Sequence, residues 1–268
     1  MRVYSKLKIV FVIATLSLLI PVFGTAQDQY FDSSGTPIRF VELGEGEPVI
    51  MVHGFGGSLE MWRQTGVMQS LSEDFHVVAM DARGHGLSGK PHDPGQYGSQ
   101  MAEDVLSLMN HLGLEKAHIV GYSMGSRLIG YLIANNSNRI ISATLGASPP
   151  RRESDGNLEE RAGQFIANVE ESARNATSDD GQDYVALAAI PKSWGEQVVK
   201  DEQLMANQIP TFGIVGTDDP RIRGMENLAA IMPNFELVVV DGATHGSLPG
   251  RPEFISSLKQ FLETQSQH

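Results

Sequence analysis

Residues Gly121-Tyr122-Ser123-Met124-Gly125 stand between an apolar run, Ala117-His118-Ile119-Val120, and a segment, Ser126 to Ala134, whose apolar residues recur at helical spacing. The run reads as a short buried strand and the segment as an amphipathic helix, so Ser123 falls at a strand-to-helix turn. Such a turn is too sharp for side chains two residues to either side of the serine, and glycine occupies both of those positions. The turn lifts the hydroxyl clear of the sheet. A glycine-flanked serine by itself is common in ordinary loops; a strand before it and a helix after it make these five residues a candidate nucleophile site.

Strands and helices alternate around this turn. Pro48-Val49-Ile50-Met51-Val52-His53 is a continuous apolar strand of the kind covered on both faces of a parallel sheet. Ser58 to Ser72 reads as a helix carrying Met61, Trp62, Met68 and Leu71, followed by a strand at Phe75 to Met80 and a helix at Gln100 to Leu112. Ile140 to Leu145 is a further strand. Pro37 to Leu43 alternates like an edge strand, and the polar stretch Gln27 to Thr36 before it reads as loose. The pattern is that of an α/β fold with a doubly wound, mostly parallel sheet. From Arg151 to about Ile209 the alternation stops. There Leu158, Ala162, Phe165, Ile166, Val169 and Ala173 share one helical face, and a second short helix spans Asp183 to Ile190, so the segment reads as a small helical cap inserted in the sheet. The sheet resumes with Thr211 to Gly216, a helix near Gly224 to Met232, the strand Phe235 to Val240 and a closing helix from Pro252 to Thr264. The expected organisation is a leader at 1–26, the first part of the core at 27–150, the cap at 151–209 and the second part of the core at 210–268.

The leader is read from Arg2, Lys6 and Lys8, the apolar run Ile9 to Ile20, and the small residues Gly24 and Ala26, which together form the pattern of a secretory signal peptide cut after Ala26. The apolar run is short of the roughly twenty residues that a permanent span takes, so no stable membrane anchor is expected after cleavage. The expected location is periplasmic or secreted. The chain has no cysteine, so disulfides contribute nothing, and its length allows a full hydrophobic core without them. Removing the three leader cations takes the formal net charge from -12 to -15. An acidic balance of this size argues against nucleic acid and anionic membrane as partners.

A serine hydroxyl needs a base within hydrogen-bond reach, and the base needs a third group to hold it. Asp218-Asp219-Pro220 follows the strand ending at Gly216, and Thr244-His245-Gly246 follows the strand ending at Val240. Loops leaving the carboxyl ends of parallel strands converge on one edge of the sheet, where ligands bind. Ser123, His245 and one of the two aspartates are therefore expected to meet there. Acyl transfer also needs donors for the developing oxyanion. These are expected from the backbone N–H of Met124, directly after the serine, and of Phe55, where Gly54, Gly56 and Gly57 allow close approach to a substrate.

His53-Gly54-Phe55-Gly56-Gly57, Asp81-x-Arg83-Gly84-His85-Gly86-x-Ser88, Gly121-Tyr122-Ser123-Met124-Gly125, Gly216-Thr217-Asp218-Asp219-Pro220 and Gly242-Ala243-Thr244-His245 stand in one order, and in it the chain resembles the α/β-hydrolase superfamily, of the AB hydrolase-1 type. The resemblance covers essentially everything from Ile38 onward except the cap. It implies a serine esterase with the triad Ser123, Asp219 and His245, an oxyanion hole at Phe55 and Met124, and a small-molecule, ester-like substrate. It implies neither cofactor nor metal. The resemblance points to Asp219 over Asp218 as the acid. Serine at 123, where haloalkane dehalogenases and epoxide hydrolases of this fold carry aspartate, argues against those reactions. Carbon-carbon bond hydrolysis and lactone hydrolysis use the same triad and stand as alternatives, as does a binding protein that keeps the scaffold without turnover.

Other residues carry weaker signals. Met61 and Trp62, whose helix begins beside the oxyanion loop, and Phe165 and Trp194 in the cap are candidate substrate-lining residues. Asp81, Arg83 and His85 have no metal-ligand spacing and read as a buried ion-pair loop. His53 reads as a loop-shaping residue. Arg151-Arg152 is the one basic cluster of the cap apparent along the chain, and such a cluster facing the site would favour an acidic substrate. No pattern specifies an oligomeric state.

Overall fold

A computed structural model describes residues 26–176 and 181–266 of the chain. The leader expected at 1–26 lies outside the described residues except for Ala26. Alternating side chains of one central strand explain the layering. In β3 (Glu47–Val52), Val49 and Met51 enter the apolar cluster on one face of the sheet, while Ile50 and Val52 enter the cluster on the other. Both clusters are continuous cores, so the sheet is covered on both sides.

The sheet has eight strands in the order β1 (Gln29–Ser33), β2 (Thr36–Leu43), β4 (Phe75–Met80), β3, β5 (Ala117–Tyr122), β6 (Ile140–Gly146), β9 (Thr211–Gly216) and β10 (Phe235–Val240). β1 and β2 pair antiparallel, as do β2 and β4, and every later neighbour pairs in parallel. On one face lie α3 (Gln100–His111), α4 (Met124–Asn135) and α8 (Ile222–Ile231). On the other lie α1 (Glu60–Gln64), α2 (Val67–Leu71) and α9 (Pro252–Gln265).

Two local expectations are corrected. The stretch read as loose before Thr36 is strand β1, and β2 is consequently an inner strand. Ser34 and Gly35 close the hairpin with φ of 54° and 81°, the two-residue turn whose twist matches antiparallel strands, and Phe31 is buried beneath it. The single helix read over Ser58 to Ser72 is two short helices. Gly66 separates them with φ 77°, a left-handed residue that ends one turn and starts the next.

Between β6 and β9 the described chain forms α5 (Leu158–Asn175), α6 (Tyr184–Ala189), the 3-10 segment Ile190–Gln197 and α7 (Asp201–Met205). The two-residue strands β7 (Arg151–Arg152) and β8 (Val198–Val199) pair where this insertion leaves the sheet and returns. Its first helices reach over the carboxyl edge, where Phe165 meets Phe55 edge to face with ring centroids 4.8 Å apart. The Gln182 side chain donates to the Gly56 carbonyl at 3.1 Å, and His92 pairs with Asp183 at 2.9 Å. α7 instead lies beside α4, with the Gln203 amide donating to the Ala134 carbonyl at 3.2 Å.

Candidate active site

Ser123 sits between β5 and α4 with φ 53° and ψ -103°, a conformation side chains rarely adopt. The neighbours explain why the chain tolerates it only with glycine on both sides. A Cβ at Gly121 would lie 2.4 Å from the Gly125 carbonyl carbon, and one at Gly125 would lie 2.2 Å from the Val52 carbonyl oxygen. The turn is held from both sides: Ser123 N–H donates to the Gly146 carbonyl at 2.8 Å and Gly125 N–H to the His53 carbonyl at 3.1 Å. Strained backbone of this kind persists only where its surroundings over-determine it.

His245 and Asp219 reach Ser123 from the loops after β10 and β9. His245 Nε2 lies 2.9 Å from Ser123 Oγ, and His245 Nδ1 lies 2.6 Å from Asp219 Oδ2. Asp219 is 1% exposed, and its other oxygen accepts the Arg221 N–H at 2.9 Å. Burial would raise the Asp219 carboxyl, but the His245 hydrogen bond, the Arg221 amide and the charges of both residues outweigh it and hold the group below the usual carboxylate range. The ionised carboxylate accepts the hydrogen bond of Nδ1–H, which leaves Nε2 as the acceptor facing the serine hydroxyl. Asp218 is exposed and near Thr217, outside this line of contacts. Tyr122 donates its hydroxyl to the His245 carbonyl and packs its ring 5.4 Å from the imidazole, fixing the loop that carries His245. Sequence reasoning had no signal for this tyrosine, because its partner is a backbone atom.

Met124 directly follows Ser123, and Phe55 follows Gly54, whose backbone lies beside the serine. Met124 is the first residue of α4, so its N–H has no helical carbonyl partner. Phe55 occupies a turn closed by Gly57 N–H to the Gly54 carbonyl at 3.1 Å, which leaves the Phe55 amide out of that bond. A Cβ on Gly54 would come within 3.4 Å of Ser123 Cβ, so this loop runs directly alongside the serine. His53 shapes it: its Nε2 accepts the Ala82 N–H at 3.0 Å, and its Nδ1, carrying the proton, donates to the Gly54 carbonyl at 2.7 Å. Burial lowers the His53 pKa below the usual histidine value, and burial together with His53 pushes His85 down to about 3. Both rings are neutral at pH 7.

The Asp81 loop does form buried ion pairs, but not among its own members. Asp81 accepts the Leu59 and Leu87 N–H groups at 2.7 and 2.8 Å and pairs with Arg39 at 3.2 Å. Arg83 pairs instead with Asp104 at 2.7 Å, where both side chains are 1% exposed. No group of three or more acidic, histidine or cysteine side chains among the described residues is arranged to hold a metal ion, and no described helix is long and apolar enough to cross a membrane.

Of the four substrate-lining candidates, Phe165 and Trp194 line a cavity of about 380 Å³ under the cap. Met61 and Trp62 do not. Trp62 is fully buried below the sheet against Phe254, and Met61 packs on that same core. Their helix begins a few residues after Phe55 and buries its apolar side in the core on that face of the sheet. The same cavity is also lined by Arg127, Arg151, Arg161 and Arg221. Of these, sequence reasoning singled out Arg151 alone.

A family model described as alpha/beta hydrolase fold matches residues 47–193. Esterase YbfF of Escherichia coli is 36% identical over 250 residues, which cover 80% of this chain and 92% of that protein. The dihydrolipoyllysine-residue acetyltransferase component of the acetoin cleaving system of Cupriavidus necator is 37% identical over 118 residues, 44% of this chain; the match spans 31% of that protein's length. Among solved structures, a thermophilic esterase from Thermogutta terrifontis superposes with a TM-score of 0.73 at 25% identity, covering 90% of this chain and all of that one.

Proposed function

The chain belongs to the α/β-hydrolase family, and on that premise we propose that it is a serine hydrolase that cleaves carboxylic esters through an acyl-enzyme. The observation that carries the reading is the continuous line from Asp219 through His245 to Ser123, with contacts of 2.6 and 2.9 Å, at a serine whose backbone is held at φ 53°. In the first half-reaction His245 Nε2 takes the proton as Ser123 Oγ attacks the ester carbonyl. The imidazolium so formed is stabilised by Asp219 and returns the proton to the leaving alcohol. The Phe55 and Met124 amides receive the negative charge that develops on the carbonyl oxygen, a contribution of about 3 kcal/mol for each donor. Water then attacks the acyl-enzyme with His245 again as base. The esterases among the relatives support ester bonds as the substrate class.

The test is reaction with a fluorophosphonate, read as a mass shift, followed by multiple turnover of a short-chain ester. Labelling and turnover in the native protein, both lost in Ser123→Ala, are expected. Labelling without turnover of esters, lactones or dioxo acids would instead mark a binding protein on a hydrolase scaffold. Export is part of the same proposal. Protein recovered from the periplasm or medium is expected to begin at Gln27, and a mass that retains the first 26 residues would refute it.

A further inference from the structure

The cavity under the cap is walled by four arginines contributed by four separate parts of the chain. Arg127 lies on the first turn of α4, Arg151 follows β6, Arg161 is on α5, and Arg221 follows Asp219. The whole protein is acidic, at a formal net charge of -12, so this is a local concentration of positive charge against the trend of the surface. One carboxylate, Asp155, also lines the cavity. It is already engaged, accepting the Arg152 N–H at 3.0 Å with its other oxygen 3.5 Å from Arg152 Nε.

The arginines are held as a recognition surface would hold them. Arg151 donates to Gln197 Oε1 at 2.7 Å and lies over the Trp194 ring, its Cζ 4.0 Å from the centroid, while Arg127 approaches the same ring at 5.7 Å. Arg221 sits 3.6 Å from Asp219. Among the described residues the Arg127 and Arg161 guanidinium groups have no hydrogen-bond or ion-pair partner. Burial, then the neighbouring Arg221 and Arg161, push the Arg127 pKa down to about 10, and burial with Arg127 and Arg161 lowers that of Arg151. Guanidinium groups gathered around one cavity repel one another, and a bound anion would relieve that repulsion. The rest of the wall is apolar: Pro149, Pro150, Leu158 and Phe165.

The cavity shares its elements with the catalytic line: Pro220 and Arg221 directly follow Asp219. Arg127 is one helical turn past the nucleophile, with its N–H on the Ser123 carbonyl at 3.4 Å, and Phe165 touches both the cavity and Phe55. We propose that this cavity anchors a carboxylate carried by the substrate a few carbons from the scissile bond, so that the substrates are anionic esters such as half-esters of dicarboxylic acids. The proposal rests on the ester-hydrolase reading above. The arginine forks bind the carboxylate, Trp194 and the prolines cover the stem, and Ser123 attacks the ester at the other end.

The experiment compares monomethyl glutarate with the length-matched neutral ester methyl valerate, by pH-stat, in the native protein and in Arg127→Gln and Arg161→Gln. Arg161 is exposed on α5, so its replacement does not threaten folding. The native protein is expected to favour the anionic ester in kcat/KM by at least about tenfold, and each variant to lower that preference by about tenfold or more, chiefly through KM. Glutarate itself is titrated in parallel into Ser123→Ala, with and without Arg161→Gln, by calorimetry. Hydrolysis of both esters at similar kcat/KM would overturn the anionic-substrate proposal and leave the esterase reading intact. Glutarate binding that depends on Arg161, with neither ester cleaved, would support the anion site while refuting the esterase reading. Neither binding nor cleavage would refute both.

Discussion

Asp219 Oδ2 lies 2.6 Å from His245 Nδ1, while the carboxylate one residue earlier, on Asp218, faces solvent. Two adjacent aspartates that are equivalent in charge are thereby given different surroundings. Asp219→Asn is expected to lower kcat by about 10³- to 10⁴-fold, because an amide in that place favours the wrong imidazole tautomer. Asp218→Asn is expected to stay within about threefold of the native rate, because an exposed carboxylate so placed contributes little. The pair of rates, measured on one ester, checks the assignment, and the reverse order would overturn it.

The turn at Ser123 is expected to trade stability for geometry. Gly125→Ala would place a methyl 2.2 Å from the Val52 carbonyl oxygen, a backbone atom that cannot swing aside. A loss of about 3 kcal/mol in urea unfolding is expected, together with loss of activity. Ser123→Gly removes the side chain that makes φ 53° costly and is expected to be more stable than Ser123→Ala by about 1 kcal/mol. Equal stability of the two variants would mean that the turn stores no strain.

Acid is expected to weaken the fold through His53 and His85. Their rings meet at 5.2 Å, and His85 packs edge to face on Phe55 at 5.4 Å. Both are neutral when folded, since burial lowers their pKa values, that of His85 to about 3. In the unfolded chain they take up protons below about pH 6.5, so the unfolded state binds more protons and stability falls as pH drops from about 6.5 toward 3. For His85 alone the loss between pH 7 and pH 5 is about 2 kcal/mol. Urea unfolding at the two pH values checks it, and His85→Asn is expected to reduce the difference.

The chain has two tryptophans, with Trp62 in the core beneath the sheet and Trp194 between arginines in the cavity. Binding of glutarate to Ser123→Ala is expected to change the emission of Trp194 alone. The change should survive Trp62→Phe and vanish in Trp194→Phe. A signal that instead follows Trp62 would place the ligand elsewhere.

Much of this site was legible along the chain because its signals are local. The strand before Ser123, the helix after it and the two glycines are fixed by contacts within a few residues, and the loops bearing Asp219 and His245 are placed by a general property of parallel sheets. Hairpin β1–β2 was missed because Gln29, Tyr30 and Asp32 are exposed and mask the pattern, and its signal lies in the positive φ of Ser34 and Gly35. For Trp62 the sequence allowed pocket lining or core packing alike, because nearness in sequence to the Phe55 loop does not tell which way a short helix turns its side chains; the fold puts it in the core.

The amino-acid sequence alone determined the alternation of strands and helices, the strained serine turn and the kind of chemistry that its partners can support. Between Asp218 and Asp219 the local pattern allowed either, and only the family resemblance separated them before the fold placed one at the histidine. The arginine cavity belongs wholly to the tertiary structure. Arg151 drew notice only for its neighbour Arg152, and Arg127, Arg161 and Arg221 share no spacing with it and read as ordinary surface cations. The four converge because the cap folds over the carboxyl edge of the sheet, so that residues from four parts of the chain line one cavity, two of them against Trp194.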